Sequence, residues 1–168
     1  MSTHGLAGEA AITLRRAGLH DLEALNAVIT AAIMTWDIPA RVKRLAIPSY
    51  HYQPLDLQHM VIWVAENARG EMIGVAAWED APPREVPAGQ RGLLLHGIFV
   101  HPEQQHQGIG RRLFAQAEAA ARQSHLHGLL VKAQSDATGF FLAQGMEKIP
   151  AADQQRDFEN RFWKTMHR

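Results

Sequence analysis

Two glycines followed by two arginines form a segment that could bind an anion. Gly108 and Gly110 precede Arg111 and Arg112, and a residue without a Cβ lets a ligand approach the backbone N–H groups closely and lets the chain take unusual angles. The run 93–100 before them is nearly all apolar, which predicts a buried strand. The alanine-rich run after them has apolar residues at helical spacing. The glycines therefore lie on a predicted strand-to-helix turn, where free amides and the helix dipole attract a phosphate. A lone Gly-x-Gly can equally be a plain surface turn.

Two common phosphate-binding signatures do not fit this turn. A P-loop needs Lys followed by Ser or Thr after its last glycine, and nothing here supplies that pair. A Rossmann fingerprint needs a third glycine where this chain has Leu113. The remaining pattern is Val100-His101-Pro102 followed by Gln105-His106-Gln107-Gly108-Ile109-Gly110. It resembles the acetyl-CoA signature of the GCN5-related N-acetyltransferases, the GNAT family, and disfavours a nucleotide-binding protein.

A second segment extends the resemblance. Residues 137–146 read Ala-Thr-Gly-Phe-Phe-Leu-Ala-Gln-Gly-Met, which is similar to the family's Ala-x-x-x-Tyr-x-x-x-Gly-Phe helix and turn. Two motifs in the right order are more specific than one. The resemblance implies an α/β protein with the GNAT fold: a central mixed, mostly antiparallel sheet of six to seven strands, flanked by about four helices. It covers essentially the whole chain, so we expect a single N-acetyltransferase domain over 1–168, with 1–10 as a loose terminus.

The resemblance also implies where acetyl-CoA binds. The strand before the glycines is expected to hold the pantetheine arm through backbone hydrogen bonds, and the amides of 106–111 are expected to hold the diphosphate. A Cβ at either glycine would push the cosubstrate away. The predicted binding residues are Ile98, Phe99, Val100, His106, Gln107, Gly108, Ile109, Gly110, Arg111 and Phe141.

His96 is the predicted catalytic base. An amine must lose its proton before it can attack a thioester, so a base or a water relay has to accept that proton. Leu94, His96, Ile98 and Val100 share one face of the predicted strand, and His96 is the only ionisable side chain among them. A core histidine bonded to a neighbouring carbonyl is the alternative. Weaker candidates for the base follow on or after a neighbouring strand: Glu79, Asp80 and Glu85.

Phe141 stands where the resemblance places a tyrosine that protonates the leaving thiolate. Phenylalanine has no proton to give, so water, Tyr50 or Tyr52 must take that role if the protein is an enzyme. The departure also supports a second hypothesis, a regulatory module that binds acyl-CoA without catalysis. Arg41, Lys43 and Arg44 precede the tyrosines and could attract an acidic substrate, although a solvated helix face explains them as well.

Composition excludes several classes of function. Lys plus Arg equals Asp plus Glu, 17 each, so no global field draws the protein to nucleic acid or to an anionic membrane. The chain has no cysteine, which rules out an acyl-cysteine intermediate and favours direct transfer within a ternary complex. His125 and His127 lack a third metal ligand in view, so no metal site is predicted.

These observations predict an acetyl-CoA-dependent acyltransferase whose acceptor is a primary amine on a small molecule or a polypeptide. The sequence has no long apolar run and no signal-peptide pattern at its start, so we expect a cytoplasmic protein. Dimers are common in this fold, which leaves a homodimer open.

Spacing and turn residues predict the individual elements. A helix is predicted from the periodic Leu22, Leu25, Ile29 and Ile33, and a hairpin from the turn Asn67–Gly70. The other predictions are a strand over 11–16, a short helix between Pro39 and Pro48, strands over 60–66 and 71–79, a helix end capped at Gly128, a strand over 129–133, a helix capped by Asp136 and stopped by Gly145, a charged loop over 153–161 and a last strand over 160–166.

Overall fold

The computed structural model of the protein describes residues 11–151 and 160–167. The predicted loose terminus and most of the predicted charged loop lie outside these residues. The strands are β1 (Thr13–Arg16), β2 (Val61–Glu66), β3 (Met72–Asp80), β4 (Gly92–Val100), β5 (Gly128–Lys132), β6 (Glu147–Ile149) and β7 (Arg161–Thr165). The helices are α1 (Leu22–Ile33), α2 (Ala40–Tyr50), α3 (Asp56–His59), α4 (Ile109–Gln123) and α5 (Thr138–Ala143).

The strands form a mostly antiparallel sheet in the order β1-β2-β3-β4-β5-β7-β6. β4 and β5 are its parallel pair, with Leu95 opposite Val131, as expected for two strands joined by the crossover helix α4. β7 runs antiparallel to both β5 and β6. The predicted mixed α/β architecture is therefore confirmed, with seven strands and five helices among the described residues.

The described residues divide into two compact units, both of which include parts of β3, β4 and α4. The first unit comprises the described residues of Met1–Val75 and Phe99–Leu113. Its core includes Leu25, Ile29 and Ile33, all fully buried along one face of α1. Their three- and four-residue spacing explains why this segment is a helix with a single packed face.

The second unit comprises the described residues of Ala76–Ile98 and Phe114–Arg168. Phe114, Ala117 and Ala121 are the buried face of α4, which follows the alanine-rich periodicity of the sequence. The continuous apolar run of β5 is buried from Gly128 to Val131, as expected for a central strand that is covered on both faces.

Three local predictions are wrong. Helix α2 continues through Pro48 to Tyr50. Pro48 lies in the last turn, where its missing N–H removes only one hydrogen bond of the helix. Gly128 does not cap α4 but begins β5, where a Cβ would lie 2.4 Å from Trp163 Cζ2; His125 takes the left-handed angles instead, with φ 55°. Asp136 lies in a 3₁₀ turn before α5, and the residue at the N-cap position of α5 is Ala137 instead.

The three-residue strand β6 was not predicted as a separate element. It is too short to show an alternating pattern and depends on pairing with β7. Within the described residues, no helix combines the length and the apolar character that crossing a membrane requires.

Candidate active site

The glycine segment forms the turn between β4 and α4. Gly108 has φ 77°, a left-handed conformation that glycine adopts without the penalty of a Cβ. Gly110 is the second residue of α4 and is helical, so the prediction of unusual backbone angles there is wrong. His106 also takes a positive φ, 67°, which is uncommon outside glycine. The turn therefore bends at 106 and 108, just before the helix begins.

The start of α4 presents free backbone donors. Its hydrogen bonding begins where Arg112 N–H donates to Gly108 O at 3.0 Å. The preceding amides of Ile109, Gly110 and Arg111 have no intrahelical acceptor, as at every helix start. The Arg111 side chain is exposed beside them, whereas the Ile109 side chain is 1% exposed and anchors the turn in the core. This arrangement has the amides and the positive charge that an anionic group requires.

Gly74 on β3 lets the helix start approach the sheet. A Cβ on Gly74 would lie 2.9 Å from Ile109 Cγ2 and 3.1 Å from Leu113 Cδ1. The backbone of β3 therefore sits directly beneath the first turn of α4. Gly74 was not predicted as a site residue, although an isolated glycine inside a strand pattern is a signal of close approach.

His96 lies beside Glu79 on the neighbouring strand. His96 Nε2 and Glu79 Oε1 are 3.1 Å apart, and the two side chains are 29% and 33% exposed. The ring nitrogen is buried and has no hydrogen-bond partner among the described residues, so the two groups are close without hydrogen-bond geometry. His96 Nε2 thus makes no bond to a carbonyl, and a carboxylate stands beside it that can accept or share a proton.

The other two acidic candidates differ from Glu79. The Glu85 carboxylate is buried and accepts a hydrogen bond from Lys132 Nζ at 2.8 Å. Asp80 is exposed at the end of β3. Of the three carboxylates, Glu79 is the one within reach of His96.

Phe141 is part of an aromatic cluster in the second unit. It is 3% exposed, and its ring centroid lies 5.1 Å from Phe140, 6.4 Å from Phe114 and 6.4 Å from Phe162. Its position, on α5 and buried among rings, is that of a packing residue, and it has no group that could donate a proton.

The two tyrosines occupy different surroundings in the first unit. The Tyr50 ring makes edge contacts with Phe99 of β4 at 6.1 Å and with Trp36 at 5.3 Å. Tyr52 is 8% exposed, and its backbone exchanges two hydrogen bonds with the side chain of Asn26 on α1, each at 2.9 Å. The Tyr50 ring therefore contacts β4, the strand that carries three of the predicted binding residues.

Potential metal ligands are dispersed. Within 11–151 and 160–167, no group of three or more His, Asp or Glu side chains could hold a metal ion. The sequence pair most similar to a metal-binding motif is His125-x-His127, and both histidines are exposed. His127 Nδ1 accepts a hydrogen bond from the Arg91 N–H at 2.8 Å.

Solved structures share this architecture. An acetyltransferase from Brucella melitensis in complex with acetyl-CoA is 16% identical, with a TM-score of 0.65 over 94% of this chain and 89% of that one. The PaiA N-acetyltransferase from Thermoplasma acidophilum in complex with coenzyme A is 17% identical, with a TM-score of 0.70 over 92% of this chain and 99% of that one. The fold is therefore that of the GNAT acetyltransferases.

The sequence itself matches the family. The family model of the acetyltransferase (GNAT) domain matches residues 58–147, and the chain belongs to that family; it is an acetyltransferase. An L-methionine sulfoximine/L-methionine sulfone acetyltransferase of Pseudomonas aeruginosa is 26% identical over 135 residues, 73% of this chain and 71% of the relative. The protein of the same description from Pseudomonas paraeruginosa matches equally. GNAT enzymes use acetyl-CoA as cosubstrate.

Proposed function

We propose that the protein transfers the acetyl group of acetyl-CoA to a primary amine by direct attack, with His96 and Glu79 accepting the proton of the amine. The observation that carries this proposal is the 3.1 Å approach of His96 Nε2 to Glu79 Oε1. A carboxylate next to an imidazole stabilises the imidazolium that forms when the ring takes a proton. The name of the Pseudomonas relative supports an amine acceptor, because its two substrates are amino acid derivatives.

The end of β4 and the turn after it fit acetyl-CoA. The left-handed Gly108 and the free amides at the start of α4 suit a diphosphate, and the exposed Arg111 adds a full charge. The backbone of Ile98, Phe99 and Val100 is assigned to the pantetheine arm, and the amides from His106 through Gln107 to Arg111 are assigned to the diphosphate. Acetyl-CoA supplies an activated acyl group, so the chain needs only to bind it, orient it and accept a proton.

His96 is close in sequence to that cosubstrate site. It precedes Ile98 by two positions on β4, and residues two apart on a strand share a face and lie about 7 Å apart. A primary amine held beside His96 would therefore lie near the acyl end of a cosubstrate that runs along β4. With the proton moved to His96, the amine lone pair is free to attack.

The departing thiolate needs little help from the protein. Phe141 has no proton to give, and an alkyl thiol ionises at about pH 8.5, so the thiolate leaves and takes a proton from water or from Tyr50. The absence of an acid at position 141 slows transfer without preventing it. No cysteine stands in the chain to form an acyl intermediate, which supports transfer within a ternary complex.

Release of coenzyme A thiol tests this function directly. The purified protein is incubated with acetyl-CoA and a panel of primary amines, and free thiol is followed with a chromogenic thiol reagent. Because the chain has no cysteine, the protein itself contributes no signal. We expect amine-dependent release. Tight binding of acetyl-CoA by calorimetry, with no release for any amine, would contradict the proposal and favour a regulatory module.

A further inference from the structure

The two ring nitrogens of His96 have different surroundings. Nε2 is buried and lies 3.1 Å from Glu79 Oε1 on the neighbouring strand. The His96 side chain as a whole is 29% exposed, so solvent reaches other atoms of it. Nδ1 makes no hydrogen bond with the described residues, yet it is not among the buried atoms that lack a partner. Nδ1 is therefore the nitrogen that a molecule arriving from solvent can contact.

The Glu79 carboxylate has no other basic neighbour to compensate its charge. Within the described part of the chain, His96 is the only basic group within 4 Å of it. The Glu79 side chain is 33% exposed, so its charge is neither deeply buried nor taken up by an arginine or a lysine. The nearest partner for that charge is the edge of the imidazole at Nε2.

This contact affects which ring nitrogen carries the proton. A neutral imidazole has one N–H donor and one lone pair. A lone pair on Nε2 would face a negative oxygen 3.1 Å away, whereas an N–H there turns a positive end toward it. The environment of one ring nitrogen in this way sets the role of the other. The contact with Glu79 favours the tautomer protonated at Nε2, which leaves the lone pair on the accessible Nδ1.

We propose that Nδ1 of His96 is the atom that takes the proton of the acceptor amine, and that Glu79 is a positioning residue that keeps the ring in the Nε2–H tautomer. The inference rests on the proposed function and refines it to single atoms. One proton of the acceptor ammonium passes to Nδ1, and the freed lone pair attacks the thioester carbonyl. The C–S bond then breaks, the second amine proton passes to water, and the thiolate is protonated from water. The imidazolium returns its proton to solvent.

The assignment also predicts where the amine binds. Nδ1 is bonded directly to Cγ, so it lies nearer the backbone of β4 than Nε2 does. An amine at hydrogen-bond distance from Nδ1, about 3 Å, does not enter the buried contact between Nε2 and Glu79. Glu79→Gln is therefore expected to lower kcat and to leave the KM of the amine unchanged. A rise in that KM with unchanged kcat would make Glu79 a substrate-binding residue and overturn its positioning role.

Methylation of one ring nitrogen tests which atom accepts the proton. His96 is replaced by Nδ1-methylhistidine through genetic code expansion, which leaves a ring that can accept a proton only at Nε2. We expect kcat to fall on the order of 100-fold, as for loss of a general base, while calorimetry shows that coenzyme A still binds. A kcat close to that of the unmodified protein would overturn the assignment. Absence of coenzyme A release with every amine would overturn both this inference and the proposed function.

Nitrogen-15 NMR of the unmodified protein measures the tautomer without any substrate. Spectra are recorded at about pH 9, where histidine side chains are neutral, and the His96 signals are identified by their absence in His96→Gln. We expect one ring shift typical of a protonated Nε2 and one typical of an unprotonated Nδ1. In Glu79→Ala the two shifts should move toward each other as the tautomers mix, and in the control Asp80→Asn they should stay in place. A proton on Nδ1, or shifts that ignore Glu79→Ala, would overturn the proposal.

Discussion

At the scale of single residues, the proposed removal of a proton from the amine involves only two side chains. His96 and Glu79 lie on neighbouring strands with His96 Nε2 and Glu79 Oε1 3.1 Å apart, and the proposal needs no third side chain to accept the proton. Phe141 provides packing where the family motif has a tyrosine hydroxyl. We therefore expect slower acetyl transfer than in a family member that has the tyrosine. The missing acid affects only the departure of the thiolate, which is already a good leaving group.

Removing the base tests this division of roles. His96→Gln is expected to lower kcat on the order of 100-fold, the usual contribution of a general base. Glu79→Gln is expected to have a smaller effect, because Glu79 acts on the proton through the imidazole. The double variant should resemble His96→Gln alone, since residues in direct contact are not additive. The measurement is steady-state coenzyme A release with a good acceptor.

Asp80→Asn is the control for those variants. Asp80 follows Glu79 directly but is exposed at the end of β3, so its loss should leave kcat unchanged. Full activity of His96→Gln would show that water, not His96, takes the proton.

At the scale of elements, the position of the first turn of α4 depends on β3. Gly74 allows Ile109 and Leu113 to rest on the strand backbone, and the amides assigned to the diphosphate follow from that placement. If those amides hold the diphosphate as proposed, a substitution at Gly74 is expected to change how they are presented.

Gly74→Ala is expected to weaken binding of coenzyme A severalfold. The new Cβ would lie 2.9 Å from Ile109 Cγ2, so the helix start must shift, and overpacking of this kind costs about 1–3 kcal/mol of unfolding free energy. Gly139→Ala is the matched control, because nothing lies within 4 Å of its added Cβ and alanine favours helix α5. Calorimetry gives the affinity and urea unfolding the stability. Loss of stability with unaltered affinity would disprove the link between Gly74 and the binding turn.

At the scale of the whole molecule, one ion pair with a buried carboxylate makes the stability of the fold depend on pH in the acid range. Asp21, which is 5% exposed before α1, receives two hydrogen bonds from Arg15 of β1, each at 2.8 Å. The Gly18 N–H donates to the same carboxylate at 2.8 Å. Hydrogen bonding by Arg15 is the main reason that the pKa of Asp21 is lowered to about 2.

This lowered pKa predicts a loss of stability in acid. The folded-state pKa of Asp21 is below the unfolded value of about 3.9, so the stabilisation is complete above about pH 4 and is lost as the pH falls toward 2. It amounts to about 2 kcal/mol. Urea unfolding at pH 6 and at pH 2.5 measures it. Asp21→Asn should be less stable at pH 6 and should show a smaller loss in acid; an unchanged difference between the two pH values would refute this account.

The sequence by itself determined most of the elements and the class of chemistry, because these depend on local patterns. Helical spacing of Leu25, Ile29 and Ile33 predicted α1, the apolar run before Gly108 predicted β4, and the two motifs predicted a GNAT acetyltransferase. His96 was predicted as the base because side chains alternate along a strand, and that role stays a prediction. The strand β6 was not predicted, because three residues are too few to show an alternating pattern.

Only the tertiary structure decided which distant residues meet. Three such contacts are the approach of Glu79 to His96, the packing of α4 on Gly74 and the hydrogen bond from Lys132 to Glu85. Each joins segments that are far apart in the chain. Gly128 leaves room for the Trp163 ring rather than capping a helix. This contact, too, joins segments that are distant in the sequence. Local spacing specifies the face on which a side chain lies, but the neighbour across that face is set by pairing between segments far apart in the chain.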